Sequence, residues 1–161
     1  MNSHFRVFIS KKMKTAQNNL MTAMLWNKKN QLLACGYSNG DVILHQVNES
    51  KSQPGTLQAS TTQSLTQHQT QITAVEWTPS GELLFTGDKS GKIIIWSRPR
   101  KMWKLQLTIS SNDSAVQFLR WNPKYKILIC SFNDSTCTCV DLNGEIRWSN
   151  KIRQPIILIN F

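Results

Sequence analysis

The chain has 161 residues, 40% of them hydrophobic, and 19 Lys and Arg against 9 Asp and Glu give it a net charge of +10. That length and composition suit one folded domain and exclude a disordered tail or a fibrous repeat. No apolar run reaches the roughly 18 residues that mark a membrane-spanning helix, and the N-terminus lacks the long apolar stretch of a secretory signal, so the expected compartment is the cytosol or one continuous with it.

The first predicted element is a strand at Phe5 to Ser10, where Phe5, Val7 and Ile9 alternate. A motif then recurs: Met24-Leu25-Trp26-Asn27, Val75-Glu76-Trp77-Thr78-Pro79 and Leu119-Arg120-Trp121-Asn122-Pro123. After each tryptophan come a polar turn and an apolar strand, at Leu32 to Cys35, Leu83 to Thr86 and Ile127 to Cys130. A second turn follows each, around Asn39-Gly40, Ser90-Gly91 and Asn133-Asp134-Ser135. Gly40 and Gly91 supply the positive φ that tight hairpins demand. Third strands are predicted over Val42 to Val47, Ile93 to Trp96 and Thr136 to Leu142, and fourth strands near Gln63 to Thr66, over Trp103 to Ile109 and over Glu145 to Trp148. Residues 48–62 are rich in Ser, Gln and Thr, with almost nothing apolar to bury, and read as a loop insertion. No stretch sustains an apolar period of 3.6, so almost no helix is expected.

Units of four short strands and about 40 residues have the size of a propeller blade. The expected fold is all-β: an incomplete propeller of about three four-stranded blades plus the first strand of a fourth. Blade one covers about 15–66, including the 48–62 insertion; blade two about 67–109; blade three about 112–151. A fourth would start at about 155–161, in the apolar run from Ile156 to Phe161. In a longer parent chain, the Phe5 to Ser10 strand would complete the last blade and fasten the ring. Cys35 and Cys130 sit in apolar runs, and Cys137 and Cys139 are two apart on one strand face. All four read as buried free thiols, not as disulfides or metal ligands.

The units resemble WD repeats. That family places a Gly-His near the repeat start, an Asp in the turn before the third strand and a Trp-Asp at its end, joined through a Ser or Thr in a polar network. In repeat two, Gln67-His68, Thr86 and Trp96 match, while the acidic place falls on Ser90, with Asp88 two residues before it. Repeat three has Asp134 in place but Asn112 for the His and Val140-Asp141 for the Trp-Asp. Repeat one has Gln17, Cys35, Asn39 and His45 at the four places. On this count no repeat holds the complete network. The resemblance makes Trp26, Trp77, Trp121, His68, Thr86, Trp96, Asp134, Gly40 and Gly91 structural residues, and His45 packing or surface.

A closer resemblance runs through Ser10-Lys11-Lys12, Asn18-Asn19, Trp26-Asn27-Lys28, Ala34-Cys35-Gly36, Gly91 to Trp96 and Asp141 to Trp148. These look like the WD-repeat subunits of intraflagellar transport complex A. The resemblance implies a scaffold acting in retrograde ciliary transport and membrane-protein entry, located at the cilium, basal body and cytoplasm. Its partners would be other subunits of that complex and cargo adaptors. A general WD-repeat adaptor in a ubiquitin ligase, vesicle coat or chromatin complex is the alternative.

The residues show no catalytic triad, phosphate loop or metal cluster, so no enzyme and no cofactor are expected. The basic residues are dispersed, with small groups at Lys11, Lys12 and Lys14 and at Arg98, Arg100, Lys101 and Lys104. These are candidate contacts for an acidic protein surface or an anionic membrane, ahead of nucleic acid. Trp103, between Lys101 and Lys104, reads as a blade anchor.

Overall fold

The computed structural model describes residues 19–52, 55–110 and 113–152. The strand expected at Phe5 to Ser10, the run from Ile156 to Phe161, and Lys11, Lys12, Lys14, Gln17 and Asn112 lie outside them.

Among the described residues twelve strands form three antiparallel four-stranded sheets, each a meander in sequence order. Sheet one holds β1 (Met21–Asn27), β2 (Leu32–Tyr37), β3 (Val42–Glu49) and β4 (Leu57–Leu65). Sheet two holds β5 (Ile72–Trp77), β6 (Leu83–Asp88), β7 (Lys92–Ser97) and β8 (Lys104–Ser110). Sheet three holds β9 (Val116–Asn122), β10 (Ile127–Phe132), β11 (Thr136–Asp141) and β12 (Ile146–Lys151). No sheet closes on itself, so the architecture is an open, incomplete β-propeller. The helical content of the described residues is a single 3₁₀ turn at Pro99–Lys101.

Each sheet bends at the same two places. On the first strand an extra residue is inserted: Thr22 in β1, Thr73 in β5 and Gln117 in β9. On the fourth, the insertion is Thr62 in β4, Gln106 in β8 and Arg147 in β12. Such bulges increase local twist and reverse the alternation of faces. Hence Ile72 packs toward sheet one while Ala74, two residues on, packs toward sheet three.

The core lies between sheets. One layer joins Leu32, Ala34, Val42 and Leu44 of sheet one to Ile72, Leu84, Ile94 and Trp96 of sheet two. The other joins Phe85, Ile93 and Ile95 of sheet two to Val116, Leu119, Leu128 and Val140 of sheet three. Phe85 stacks on Trp121, with ring centroids 5.3 Å apart. Two glycines permit this approach. A Cβ at Gly36 would collide with the Ile72 side chain, and one at Gly87 would lie 2.6 Å from Val116 Cγ1.

The segment 48–62 is not the loop its composition implied. β3 runs on to Glu49 and pairs with β4 from Leu57, so most of the insertion is an extended hairpin. The Thr and Ser side chains tolerate a strand, and β3 offers an unpaired edge for them to complete. Thr62 Oγ1 donates to the Leu44 carbonyl, which ties the bulge down. Gly40 and Gly91 hold φ of +92° and +87° in the turns between second and third strands.

The glycine contact yields a prediction. Gly87→Val must push Val116 away and is expected to cost about 1–3 kcal/mol in urea unfolding, the range for overpacking a core. Gly36→Val should behave alike, because Ile72 stands over Gly36 as Val116 stands over Gly87.

Candidate functional site

A complete polar network runs through sheet two. His68 Nδ1 lies 2.7 Å from Asp88 Oδ2, and His68 Nε2 lies 2.7 Å from Thr86 Oγ1. The Trp96 indole N–H donates to the same Thr86 hydroxyl at 2.8 Å. All four residues are buried. Asp88 Oδ1 also accepts from the Ser90 amide, the Ser90 hydroxyl and the Lys92 amide, so one carboxylate holds both the histidine and the turn. Burial opposes the Asp88 charge, but hydrogen bonds from His68 and Ser90 outweigh it and hold the carboxyl below its ordinary value of 3.8.

The count from the sequence had put the acidic place at Ser90 and left this network incomplete. The structure corrects that: the acid is Asp88, at the last position of β6, and Ser90 is one of its donors. Asp134 occupies the place equivalent to Ser90 and does a different job. Its Oδ1 accepts from the Thr136 amide and its Oδ2 from the Thr136 hydroxyl, which caps an exposed turn.

Pairing registers show what replaces the network elsewhere. Leu33, Leu84 and Leu128 pair with His45, Trp96 and Val140, so these three are equivalent. By the same registers Thr86 corresponds to Cys35 and Cys130, and Asp88 to Tyr37 and Phe132. Sheet three thus has an apolar triad, Cys130, Phe132 and Val140, all fully or nearly fully buried. Sheet one is mixed. His45 is buried, with Nδ1 3.2 Å from Thr61 Oγ1, while Nε2 finds no partner among the described residues. Burial pushes the His45 pKa below 6.5, and pushes the Cys35 thiol up to about 11. Cys137 is likewise raised to about 11, by burial first and by Cys139 second. Thiols so placed are protonated and unreactive. Within the described residues, no cluster of His, Cys, Asp and Glu is suited to a metal.

The repeated tryptophans occupy equivalent places but differ in cover. Trp77 and Trp121 are buried against the preceding sheet, and the Trp77 indole donates to the Leu25 carbonyl across the boundary. Trp26 is 40% exposed, as are its neighbours Met21 and Met24 at 44% and 54%.

The basic loop is built on Trp103. Its ring meets Trp77 edge-on with centroids 5.3 Å apart, and its peptide is clasped by Gln63, which accepts from Trp103 N at 2.9 Å and donates to Trp103 O at 2.7 Å. The Arg98 guanidinium lies 5.9 Å from the Trp103 ring centroid and donates to the Lys101 carbonyl. Arg100, Lys101 and Lys104 are exposed. A shallow, open hollow of about 700 Å³ is lined by Trp26, Trp77, Pro79, Lys28, Lys29 and Arg120, among others. Glu76 also lines it, 2.8 Å from Arg120. Burial raises the Glu76 pKa against the lowering pull of Arg120. Sequence reading missed this hollow, because Glu76 and Arg120 are 44 residues apart. Their equivalent positions, each one before a repeated tryptophan, were the available signal.

Residues 59–97 match the WD domain, G-beta repeat family, and that stretch contains the whole His68–Thr86–Asp88–Trp96 network. Residues 59–97 thus carry one WD repeat. WD-repeat domains are known as non-catalytic interaction scaffolds, and the three sheets here share the fold of such domains. The chain is similar to WD repeat-containing protein 35 of Rattus norvegicus, with 25% identity over 154 residues, covering 91% of this chain and 13% of the relative. It is also similar to the Chromatin assembly factor 1 subunit FAS2 homolog of Oryza sativa subsp. japonica, 28% identical over 120 residues, covering 71% of this chain and 24% of that one. The chain therefore spans about one eighth to one quarter of these relatives. Among solved structures, a chain of the mitotic checkpoint complex superposes with a TM-score of 0.70 at 19% identity, covering 85% of this chain and 40% of that one, which shows the shared fold.

Two predictions follow from the buried polar groups. Asp88→Ala strands His68 and Ser90 and is expected to cost about 1–3 kcal/mol in denaturant unfolding, while Asp134→Ala, at an exposed turn, costs less than half as much. The fold favours neutral His45, so its contribution is whole above 6.5 and is lost as pH falls through the folded value. Thermal midpoints should drop from about pH 7 to about pH 5, and His45→Leu should flatten that slope. The Asp88 contribution is lost only lower, as pH falls below 3.8.

Proposed function

We propose that this chain is the opening part of a protein-binding scaffold subunit of intraflagellar transport complex A. Its role would be retrograde ciliary transport and the entry of membrane proteins into the cilium, at the cilium, basal body and adjoining cytoplasm. The observation that carries this reading is the similarity to WD repeat-containing protein 35, which extends over 91% of the chain and so over all three sheets. In this reading the blades divide at about 15–66, 67–109 and 112–151, with a fourth beginning at about 155–161. Partners are other subunits of the complex and cargo adaptors.

Arg98, Arg100, Lys101 and Lys104, on the loop braced by Trp103, are the proposed contacts, and Lys11, Lys12 and Lys14 join them from the N-terminal segment. An acidic protein surface is the chemistry they fit best. The second reading is a WD-repeat adaptor of another complex; the 28% identity to a chromatin assembly factor subunit favours it as the alternative.

Affinity purification of the tagged protein from ciliated cells separates the two. Recovery of intraflagellar transport subunits is expected. Recovery of chromatin assembly or ubiquitin ligase components in their place would overturn the ciliary reading and support the second.

A further inference from the structure

β4 is the longest strand among the described residues, nine residues from Leu57 to Leu65, and its outer edge pairs with no other strand there. The fourth strands of the other two sheets are shorter and carry charge: β8 begins at Lys104, and β12 contains Arg147 and Lys151. Charges on an edge strand oppose its pairing with a second chain. β4 has none, and no Lys, Arg, Asp or Glu occurs from Ser52 to Val75. Leu57, Gln58, Ala59, Ser60 and Thr61 are all exposed.

Two hydrogen bonds fix which backbone groups of β4 face outward. The Val47 amide donates to the Gln31 carbonyl at 3.0 Å, toward β2, and the Ser50 amide donates to the Thr56 carbonyl at 2.7 Å, toward β4. In an antiparallel ladder the N–H and C=O of one residue point the same way, and that direction alternates along the strand. Gln46 and Asn48 therefore spend their groups on Ser60 and Gln58, their partners in register. Leu57, Ala59 and Thr61 are left with N–H and C=O aimed away from β3. The bulge at Thr62 reverses this phase, so the straight outward run ends at Thr61. Gly55, at φ of +81°, turns the chain just before the run begins. Ala59 is its centre.

We propose that β4 pairs antiparallel with β4 of a second copy of this chain, about a two-fold axis at Ala59. The two Ala59 residues exchange both backbone hydrogen bonds, and Leu57 of each copy does the same with Thr61 of the other. Gln58 falls opposite Ser60, where side chains across an antiparallel pair stand closest, so carboxamide and hydroxyl meet across the seam. A second copy fits because the outward groups are symmetric about Ala59 and because β4 offers no charge to select a foreign strand. The net charge of +10 repels a second copy, and an uncharged edge is where that repulsion costs least. The seam is short and buries less than the roughly 1,200 Å² of a stable complex. The dimer is therefore a weak one, formed at high protein concentration. Self-pairing of β4 is independent of the partners proposed above.

Sedimentation equilibrium of the whole chain over a concentration series tests this. A monomer–dimer equilibrium is expected, and added salt should tighten it, since salt screens the repulsion and the seam holds no ion pair to weaken. Ala59→Lys sets two ammonium groups opposite each other and should raise the dissociation constant at least about fivefold, as should Ala59→Glu. Mixing the two variants should restore the dimer by pairing ammonium with carboxylate, which ties the axis to position 59. Ala59→Pro removes the central outward N–H and no bond to β3, so it should weaken the dimer while circular dichroism stays unchanged. Thr108→Lys, on the edge of β8, should leave the equilibrium as it is. A monomer at every concentration, association that weakens with salt, a mixture of the charge variants that stays monomeric, or equal loss from Thr108→Lys would each overturn the proposal. The salt response of the unaltered chain decides even where a variant fails to fold.

Discussion

Branched side chains lying over glycines set the spacing of the sheets. Ile72 rests on Gly36 and Val116 on Gly87, each at the start of a first strand and against the second strand of the sheet before. The bulges at Thr73 and Gln117 make that contact possible, since they turn the first residue of each strand toward the preceding sheet. Without the inserted residue, Ile72 and Ala74 would share a face and one of the two core layers would lose its edge. Thr22 Oγ1 reinforces the arrangement by donating to the carbonyls of both Gly36 and Ile72, across the boundary between sheets. Ser131 holds the place of those glycines in sheet three, where its hydroxyl donates to Gln117 Oε1.

On this frame the polar network is a local reinforcement, not a requirement of every blade. Sheet two uses His68, Thr86, Asp88 and Trp96. Sheet three fills the same space with Cys130, Phe132 and Val140, which need no partners. Both solutions satisfy the rule that buried polar groups be hydrogen-bonded or absent. Sheet one stands between them, with Cys35 and Tyr37 beside a buried His45.

Much of this was legible in the residues. The three tryptophans, the Asn39-Gly40 and Ser90-Gly91 turns and the short Ile- and Val-rich runs specify repeated hairpins, because turn geometry and strand burial are local properties. Three other features were not. Bulges leave no mark in a hydrophobic pattern except a broken alternation, so Ile72, Val75 and Trp77 read as irregular when they share one face. Asp88 was passed over because its place was counted along the turn, whereas its side chain reaches back from the end of β6. The hairpin of β3 and β4 was hidden by composition: Thr61 and Thr62 are held by tertiary partners, His45 and Leu44, that no local window contains. The hollow, built from Trp26, Glu76 and Arg120, required the sheets to be assembled before it could be seen.

Sheet two is the member of this stack covered on both faces, by sheet one through Ile94 and Trp96 and by sheet three through Phe85, Ile93 and Ile95. Its neighbours are each covered on one face within the described residues. Stacked units of this kind come apart in order of how many neighbours they have. Amide protons of β6 and β7 should therefore be the last to yield to solvent deuterium, and those of β4 and β12 the first. Among these three sheets opening would run from the flanks inward, so the His68 network serves as the anchorage that holds when the two beside it have loosened.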